Sequence, residues 1–413
     1  MIKKPKIKIF IPYNHQQLFT NGDFIFQTII ELRKQKYEVH ILLRQHCLSP
    51  LTFLKRRTLE QKTLMELNSF YNTKYFSSLR LHFSMEYIPL FLRQRFGRLE
   101  QLEQLLNFTY STFLILLTRS SVIWSFDHQN YDLFKSLFLK NIVKLYDCVD
   151  YYSSNDKNTH RLIKFQENIQ MTAANVIFAN SRVLFDICKR INANTHLVPQ
   201  GFDLDTFSVT KYISSHSIQK ILHYLKQDKR KKITYIGNLN YRIDYDLLIN
   251  IITKNSEHLF LLSATSLDTQ LEDKRHVFST KLKKIQSFRN VFFLPHLKRA
   301  DVKKILKLSD VGIIPYQIKF DFNRYCFPMK FLEYLYMGLP VISTPIEELK
   351  SYYPYALLSK NGDEWNKLLR KTLLHQELSS IRKKRRAIAV SHSWEDKVQN
   401  IMRVLKTQFF SSN

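Results

Sequence analysis

Glycine is scarce. The chain has seven among 413 residues, where ordinary usage of ~7% would give about 29. Most turns must therefore be made by Asn, Asp and Ser, and the few glycines are expected where a side chain cannot fit. Cysteine is also sparse: Cys47, Cys148, Cys188 and Cys326 lie far apart, with no CxxC and no Cys/His cluster. That excludes a disulfide framework or a zinc-finger arrangement and fits a reducing compartment. No run approaches the ~18 apolar residues of a membrane span, and the best, Phe113–Leu117, is stopped by Arg119. The first residues, basic but lacking an apolar h-region, are not expected to form a secretory signal.

Acidic residues are the other shortage. There are 35 Asp and Glu against 63 Lys and Arg, a formal charge of +28. Such an excess speaks about partners rather than fold: nucleic acid, an anionic membrane surface or a phosphate-bearing substrate. What is present is the composition of a globular protein, 45% hydrophobic and 24% charged. It excludes wholesale disorder, and the length suits two domains or three.

Apolar strand-like runs alternate with helical patterns. Strands are expected at Lys6–Pro12, Glu38–Leu43, Val122–Phe126, Ile142–Tyr146, Val176–Ala179 and His196–Val198. An amphipathic helix is expected over Asp23–Lys36. After a polar, Lys-rich stretch at Ser208–Lys232, a second series follows: Ile233–Ile236, Leu259–Ser263, Val291–Leu294, Val311–Pro315, Val341–Ser343 and Ala356–Leu358. This alternation predicts βαβ units and two doubly wound parallel-sheet domains joined near residues 205–230. A last helix from Trp394 opens on the capping-box spacing of Ser393 and Asp396. One segment, Leu79–Thr118, breaks the pattern by mixing arginines with Phe, Leu and Ile. It reads either as a membrane-surface helix or as a helical insertion packed on the first sheet.

In a doubly wound sheet, ligands gather at the carboxyl ends of strands. Four places there can carry chemistry. Asn21-Gly22-Asp23, in the loop after the first strand, lets backbone approach a ligand, although a lone glycine there is more often a simple turn. Gly237 and Asn238 end the first strand of the second series, with Arg242 close behind as a fixed cation for a diphosphate. In Phe327–Thr344, Pro328 suits the start of a helix and Gly338 its end. Lys330 and Glu333 then share one face. Lys330 can meet a phosphate and Glu333 can accept from ribose hydroxyls, the alternative being a surface ion pair. Asp147 and Asp150 follow the Ile142–Tyr146 strand. Asp150 is the preferred proton acceptor, with Asp127 and His128 in reserve, and the alternative for Asp150 is a helix N-cap.

Taken in order, Tyr146–Asp150, Asn180-Ser181, Val198–Asp203 with Phe207, Gly237–Asp246, Ser309–Pro315, Pro328–Thr344 and Ser393-Trp394 resemble the GT-B glycosyltransferases. The likeness is to the bacterial family-1/family-4-like enzymes of capsule, exopolysaccharide and teichuronic-acid synthesis. The resemblance implies an N-terminal Rossmann-like acceptor domain over 1–205, a nucleotide-sugar domain over 206–390, and a helix at 391–413 packing back on the first. It further implies a nucleotide-sugar donor, UDP-linked by family analogy, and a lipid-linked or glycan acceptor at the cytoplasmic membrane face. No cofactor or metal is implied. One position departs: where family-4 enzymes carry the first of two glutamates eight apart, this chain has Tyr325, so their retaining mechanism does not carry over. Two other classes stay open. A non-catalytic scaffold is one. A nucleic-acid binder using Arg382–Arg386 is the other, although no nucleic-acid-binding motif accompanies that run.

Overall fold

The computed structural model describes residues 7–14, 24–71, 73–154, 156–209, 211–263, 275–375 and 378–411. They divide into two compact units, the first formed by Met1–Pro199 with Lys397–Asn413 and the second by Gln200–Asp396.

The first unit is built on a seven-stranded sheet: β1 (Lys8–Tyr13), β2 (Glu38–Leu48), β3 (Arg80–Met85), β4 (Val122–Ser125), β5 (Val143–Cys148), β6 (Val176–Ala179) and β7 (Thr195–Leu197). The spatial order is β3-β2-β1-β4-β5-β6-β7. Every pair is parallel, as in Ile9 opposite Val39 on one side and Val122 on the other. Parallel strands covered on both faces need apolar residues on both, and β1 (KIFIPY) and β4 (VIWS) supply them. Ile25, Phe26 and Ile29 of the helix Phe24–Lys34 close one face. Ile115, Leu133 and Phe134 lie in the cluster on the other.

β3 corrects the reading of Leu79–Thr118. That segment opens as an edge strand and only then turns helical, at Leu90–Arg95 and Gly97–Leu117. Leu81 and Phe83 alternate inward at period two beside Ile41 and Leu43 of β2. The strand's short span, followed closely by the arginine-bearing helix Leu90–Arg95, hides that alternation.

The second unit carries a six-stranded parallel sheet: β8 (Lys232–Tyr235), β9 (Leu259–Ser263), β10 (Val291–Leu294), β11 (Val311–Ile314), β12 (Val341–Ser343) and β13 (Ala356–Leu358). Its order is β10-β9-β8-β11-β12-β13. The polar stretch at Ser208–Lys232 contains a helix, His216–Gln227, capped by Ser215 and anchored by Ile218 and Leu225. The final helix, Trp394–Phe409, opens with the expected box: Asp396 N–H donates to Ser393 Oγ at 3.0 Å, and that hydroxyl donates to Asp396 Oδ2 at 2.6 Å.

From Lys397 onward this helix belongs to the first unit. Val398, Ile401, Met402 and Leu405 complete its core, and Lys397 donates to Asp147 Oδ1 at 3.4 Å. Asp147 lies on β5 and is fully buried. Burial pushes its carboxyl pKa up, and Lys397 pulls it back only in part. Asp147 is thus a structural group rather than a loop carboxylate.

On the β2–β3 edge His40 and His82 stack with ring centroids 5.4 Å apart and a 3.1 Å nitrogen contact. Burial, then the charges of His40 and Arg80, holds His82 down to about 4 from 6.5. The folded chain therefore binds fewer protons here than the unfolded chain between those pH values. Acidification from pH 6.5 to about 4 should cost on the order of 2 kcal/mol of stability. Melting temperature measured across that range should fall less steeply in His82→Gln than in the parent; identical slopes would refute the assignment.

Candidate functional site

Strand order in the second sheet reverses between β8 and β11, where the chains leaving the two carboxyl ends diverge and open a crevice. β8 runs into Ile236-Gly237. Gly237 has φ +138°, a conformation that residues with a Cβ rarely adopt. β11 runs into Pro315-Tyr316. The loop after Gly237 is fastened to this second end: Asp244 N–H donates to Pro315 O at 2.8 Å, and Gln317 N–H to Arg242 O at 2.7 Å.

The helix Met329–Tyr336 delivers Lys330 to the same spot. Its ammonium donates to Tyr316 Oη at 2.6 Å and Tyr235 Oη at 3.2 Å. It lies 4.5 Å from the ring centre of Tyr235 and 4.6 Å from that of Tyr316. A Cβ on Gly237 would stand 2.9 Å from that nitrogen, so a side chain there would push the ammonium aside as well as strain the backbone. Burial alone would lower the Lys330 pKa, but the two tyrosines more than offset it and the net shift is upward. The side chain is a permanent cation.

Arg242 stacks on the same ring, its guanidinium carbon 4.6 Å from the Tyr316 centroid and 4.5 Å from that of Phe322. Asn323 fixes it from two directions: Arg242 Nε donates to Asn323 Oδ1 at 2.8 Å, and Asn323 Nδ2 returns to Arg242 O at 3.1 Å. Two cations on one aromatic ring repel each other at short range. Ring faces offset part of that cost, and an anion between the cations would offset the rest. Two fixed cations beside an open stretch of backbone can hold a polyanionic group.

Glu333 pairs with a different group. It is buried and accepts from Arg299 Nη2 at 3.1 Å, while Arg299 Nε donates to Asp203 Oδ2 at 2.8 Å. Among the described residues no ion pair joins Lys330 to Glu333, so the surface-pair alternative does not hold. Asn238 is exposed, and its carbonyl takes the Tyr235 hydroxyl at 3.0 Å. Tyr325 merely ends the short helix Asp321–Arg324. In the run Arg382–Arg386, Arg385 is buried on the Gly338 carbonyl and Arg386 reaches Tyr336 Oη. At least part of that run therefore serves folding.

The first unit has its own reversal, between β1 and β4. Asp127, just past β4, is buried and saturated by Asn14 Nδ2 at 3.0 and 3.1 Å and by Gln129 N–H at 2.8 Å. That makes it structural. His128 lies 5.1 Å from the Tyr152 ring, and burial lowers its pKa, leaving a neutral imidazole. Asp150 is half-buried, two residues beyond β5. It is not the cap of the following helix, because Asp156 takes that part by accepting Thr159 N–H at 2.8 Å. A cavity of about 570 Å³ opens at this carboxyl edge, with Asn14, Arg44 and Asp132 in its wall. Gly22 and Asp23 lie outside the described residues.

The sequence reading missed Tyr235, Tyr316, Asn323 and Arg299. Tyr235 and Tyr316 stand at or just past the carboxyl ends of β8 and β11, which only the sheet's order makes neighbours.

Residues 230–370 match the family model described as Glycosyl transferases group 1. With two parallel sheets of this topology, the match supports a GT-B, group-1-like glycosyltransferase. Among curated proteins, the chain is similar to the putative teichuronic acid biosynthesis glycosyltransferase TuaH of Bacillus subtilis. The two are 23% identical over 278 residues, which is 63% of this chain and 66%, just under two thirds, of that protein. Among solved structures, Anabaena HepE in complex with UDP-glucose superposes with a TM-score of 0.69 at 14% identity, covering 97% of this chain and 100% of that one. A glycosyltransferase from Rickettsia africae gives 0.70 at 11% identity over 98% and 100%. At such identities these structures establish the fold.

Gly237→Ala should lower stability by about 1–3 kcal/mol through backbone strain and the clash with Lys330. In a double-mutant cycle of thermal melts, Lys330→Ala should recover the clash part and leave the strain. Full additivity of the two changes would show that Gly237 and Lys330 do not share this space.

Proposed function

We propose that the chain transfers a sugar from a nucleotide-diphosphate sugar, UDP-linked in the first instance, to a lipid-linked or polysaccharide acceptor at the cytoplasmic membrane face, in the making of a surface polysaccharide. One observation carries the donor half: Lys330 and Arg242 stacked on Tyr316, beside the open backbone of Gly237, where strand order reverses. The bound UDP-glucose of the HepE neighbour and the name of the TuaH relative support the same reading.

In this reading the two cations hold the diphosphate in the ground state and take up the charge it gains as the glycosidic bond breaks. They carry that role without a metal. Glu333 accepts from the ribose hydroxyls while Arg299 holds its carboxylate in place. Asp150, on the acceptor-bearing unit, takes the proton of the attacking hydroxyl. The basic excess supports attraction to an anionic bilayer, where a lipid-linked acceptor would reside.

Calorimetric titration with UDP tests the donor half. Lys330→Ala and Arg242→Ala should each weaken binding roughly 10- to 100-fold, the loss of one charge-assisted contact. Unchanged affinity in both variants would remove the site from consideration.

Turnover of the donor tests the base. Asp150→Asn should slow it ~10²–10⁴-fold with UDP affinity and melting temperature nearly unchanged. Full activity in that variant would shift the role to His128.

A further inference from the structure

The helix Gly97–Leu117 is amphipathic the wrong way round. Its inward face is largely polar, with Glu103, Ser111 and Thr112 buried alongside Leu114 and Ile115. These groups are placed deliberately: Glu103 accepts the backbone N–H of Tyr87 at 3.2 Å and of Ile88 at 2.9 Å. Its outward face is apolar. Leu102, Leu105, Phe113 and Leu116 are 44%, 58%, 57% and 48% exposed, and their spacing with Thr109 puts them in one stripe. Thr109 donates to Leu105 O at 2.9 Å, so its hydroxyl does not interrupt the stripe. Beside the helix, Leu137 and Phe138 stand 82% and 75% exposed.

An apolar strip of this length on a soluble surface calls for an occupant. Charge selects it. Arg95 and Arg98 precede the strip, Arg119 follows it and Lys140 flanks Phe138, all exposed. The helix's own carboxylates are already engaged, Glu100 by Arg93 at 3.0 Å and Glu103 as above. A second copy packed on the same face by two-fold symmetry would set these cations against themselves. An anionic lipid interface instead offers acyl chains to the leucines and phosphates to the arginines. No described helix is long and apolar enough to cross a membrane, so the helix lies along the surface.

We propose that the outward face of Gly97–Leu117, with Leu137 and Phe138, docks the chain on an anionic bilayer. This rests on the membrane half of the proposed function and adds the surface responsible. It also gives the acceptor a route. Gln104, Leu105 and Phe108 of this helix line the first unit's cavity, whose wall includes Arg44 and Asp132. The headgroup of a lipid-linked acceptor in the docked leaflet would enter there, with its anchor still in the membrane.

Co-sedimentation with vesicles of phosphatidylglycerol and phosphatidylcholine, against phosphatidylcholine alone, tests this on the full chain. The parent should bind the anionic vesicles and lose them as salt rises. Leu105→Glu with Phe113→Glu should lower that binding about tenfold or more, and so should Arg95→Glu with Arg98→Glu. UDP titration run in parallel should be unchanged in both pairs, showing that they fold and that the donor site is separate. A parent that ignores anionic vesicles overturns the proposal, as does vesicle binding equal in parent and variants. So does a dimer in sedimentation velocity that Phe113→Glu dissolves while vesicle binding persists. If the parent binds vesicles as described but not UDP, the docking surface stands and the donor assignment falls.

Discussion

A lysine ammonium lodged between two phenols and a glycine backbone is the constraint on which the second unit turns. Lys330 takes up the space that a side chain on Gly237 would crowd. The loop bearing Gly237 is itself held by Tyr334, whose hydroxyl accepts the N–H of Ile236 at 3.0 Å. Tyr334 in turn lies so close to Gly312 of β11 that a Cβ there would come within 2.4 Å of its ring. Two of the seven glycines are thus spent on bringing one cation to one sheet edge. A fold that avoids glycine elsewhere keeps it where backbone must meet a side chain.

The first unit depends on a different pair. A carboxylate on β5 and an ammonium from the final helix meet in a dry interior, where desolvation of both charges offsets much of their attraction. Such a pair adds little net stability over apolar packing, yet removing either partner leaves the other stranded. It ties the first turn of the helix Trp394–Phe409 to β5, beside the apolar contacts of Val398, Ile401, Met402 and Leu405.

Most of the architecture was legible because buried parallel strands are short apolar runs with polar punctuation. Val176–Ala179, Leu259–Ser263, Val291–Leu294, Val341–Ser343 and Ala356–Leu358 are found at the bounds their composition suggests. β3 was not legible, because its period of two covers only a few residues before the arginine-rich helices begin. In the site, Gly237, Arg242 and Lys330 stood out as special residue types at strand and helix ends, and the structure brings those three together. Tyr316 and Arg299 did not, since in a chain with 22 tyrosines and many arginines neither type carries a signal by itself. Only the sheet's order, which joins β8 to β11 across 75 residues of separation between Thr234 and Ser309, makes Tyr316 a neighbour of Tyr235. Glu333 was recognised as special, but its pairing with Arg299 is a tertiary fact that no local pattern encodes.

The interleaving of the two units has a consequence for how the chain matures. Residues up to Pro199 leave the ribosome before the second unit, yet the residues that close their core, Val398 through Leu405, leave only after it. At ~5–20 residues per second, the nascent first unit waits for the whole second unit to be made. For that interval Asp147 lacks its cation, and the sheet carries an open apolar groove. A chaperone able to shield that groove, or a slow step that delays collapse, would matter more to the yield of this protein than to one whose domains are consecutive in sequence. A chain that stops before Lys397 should fail in its first unit rather than its second.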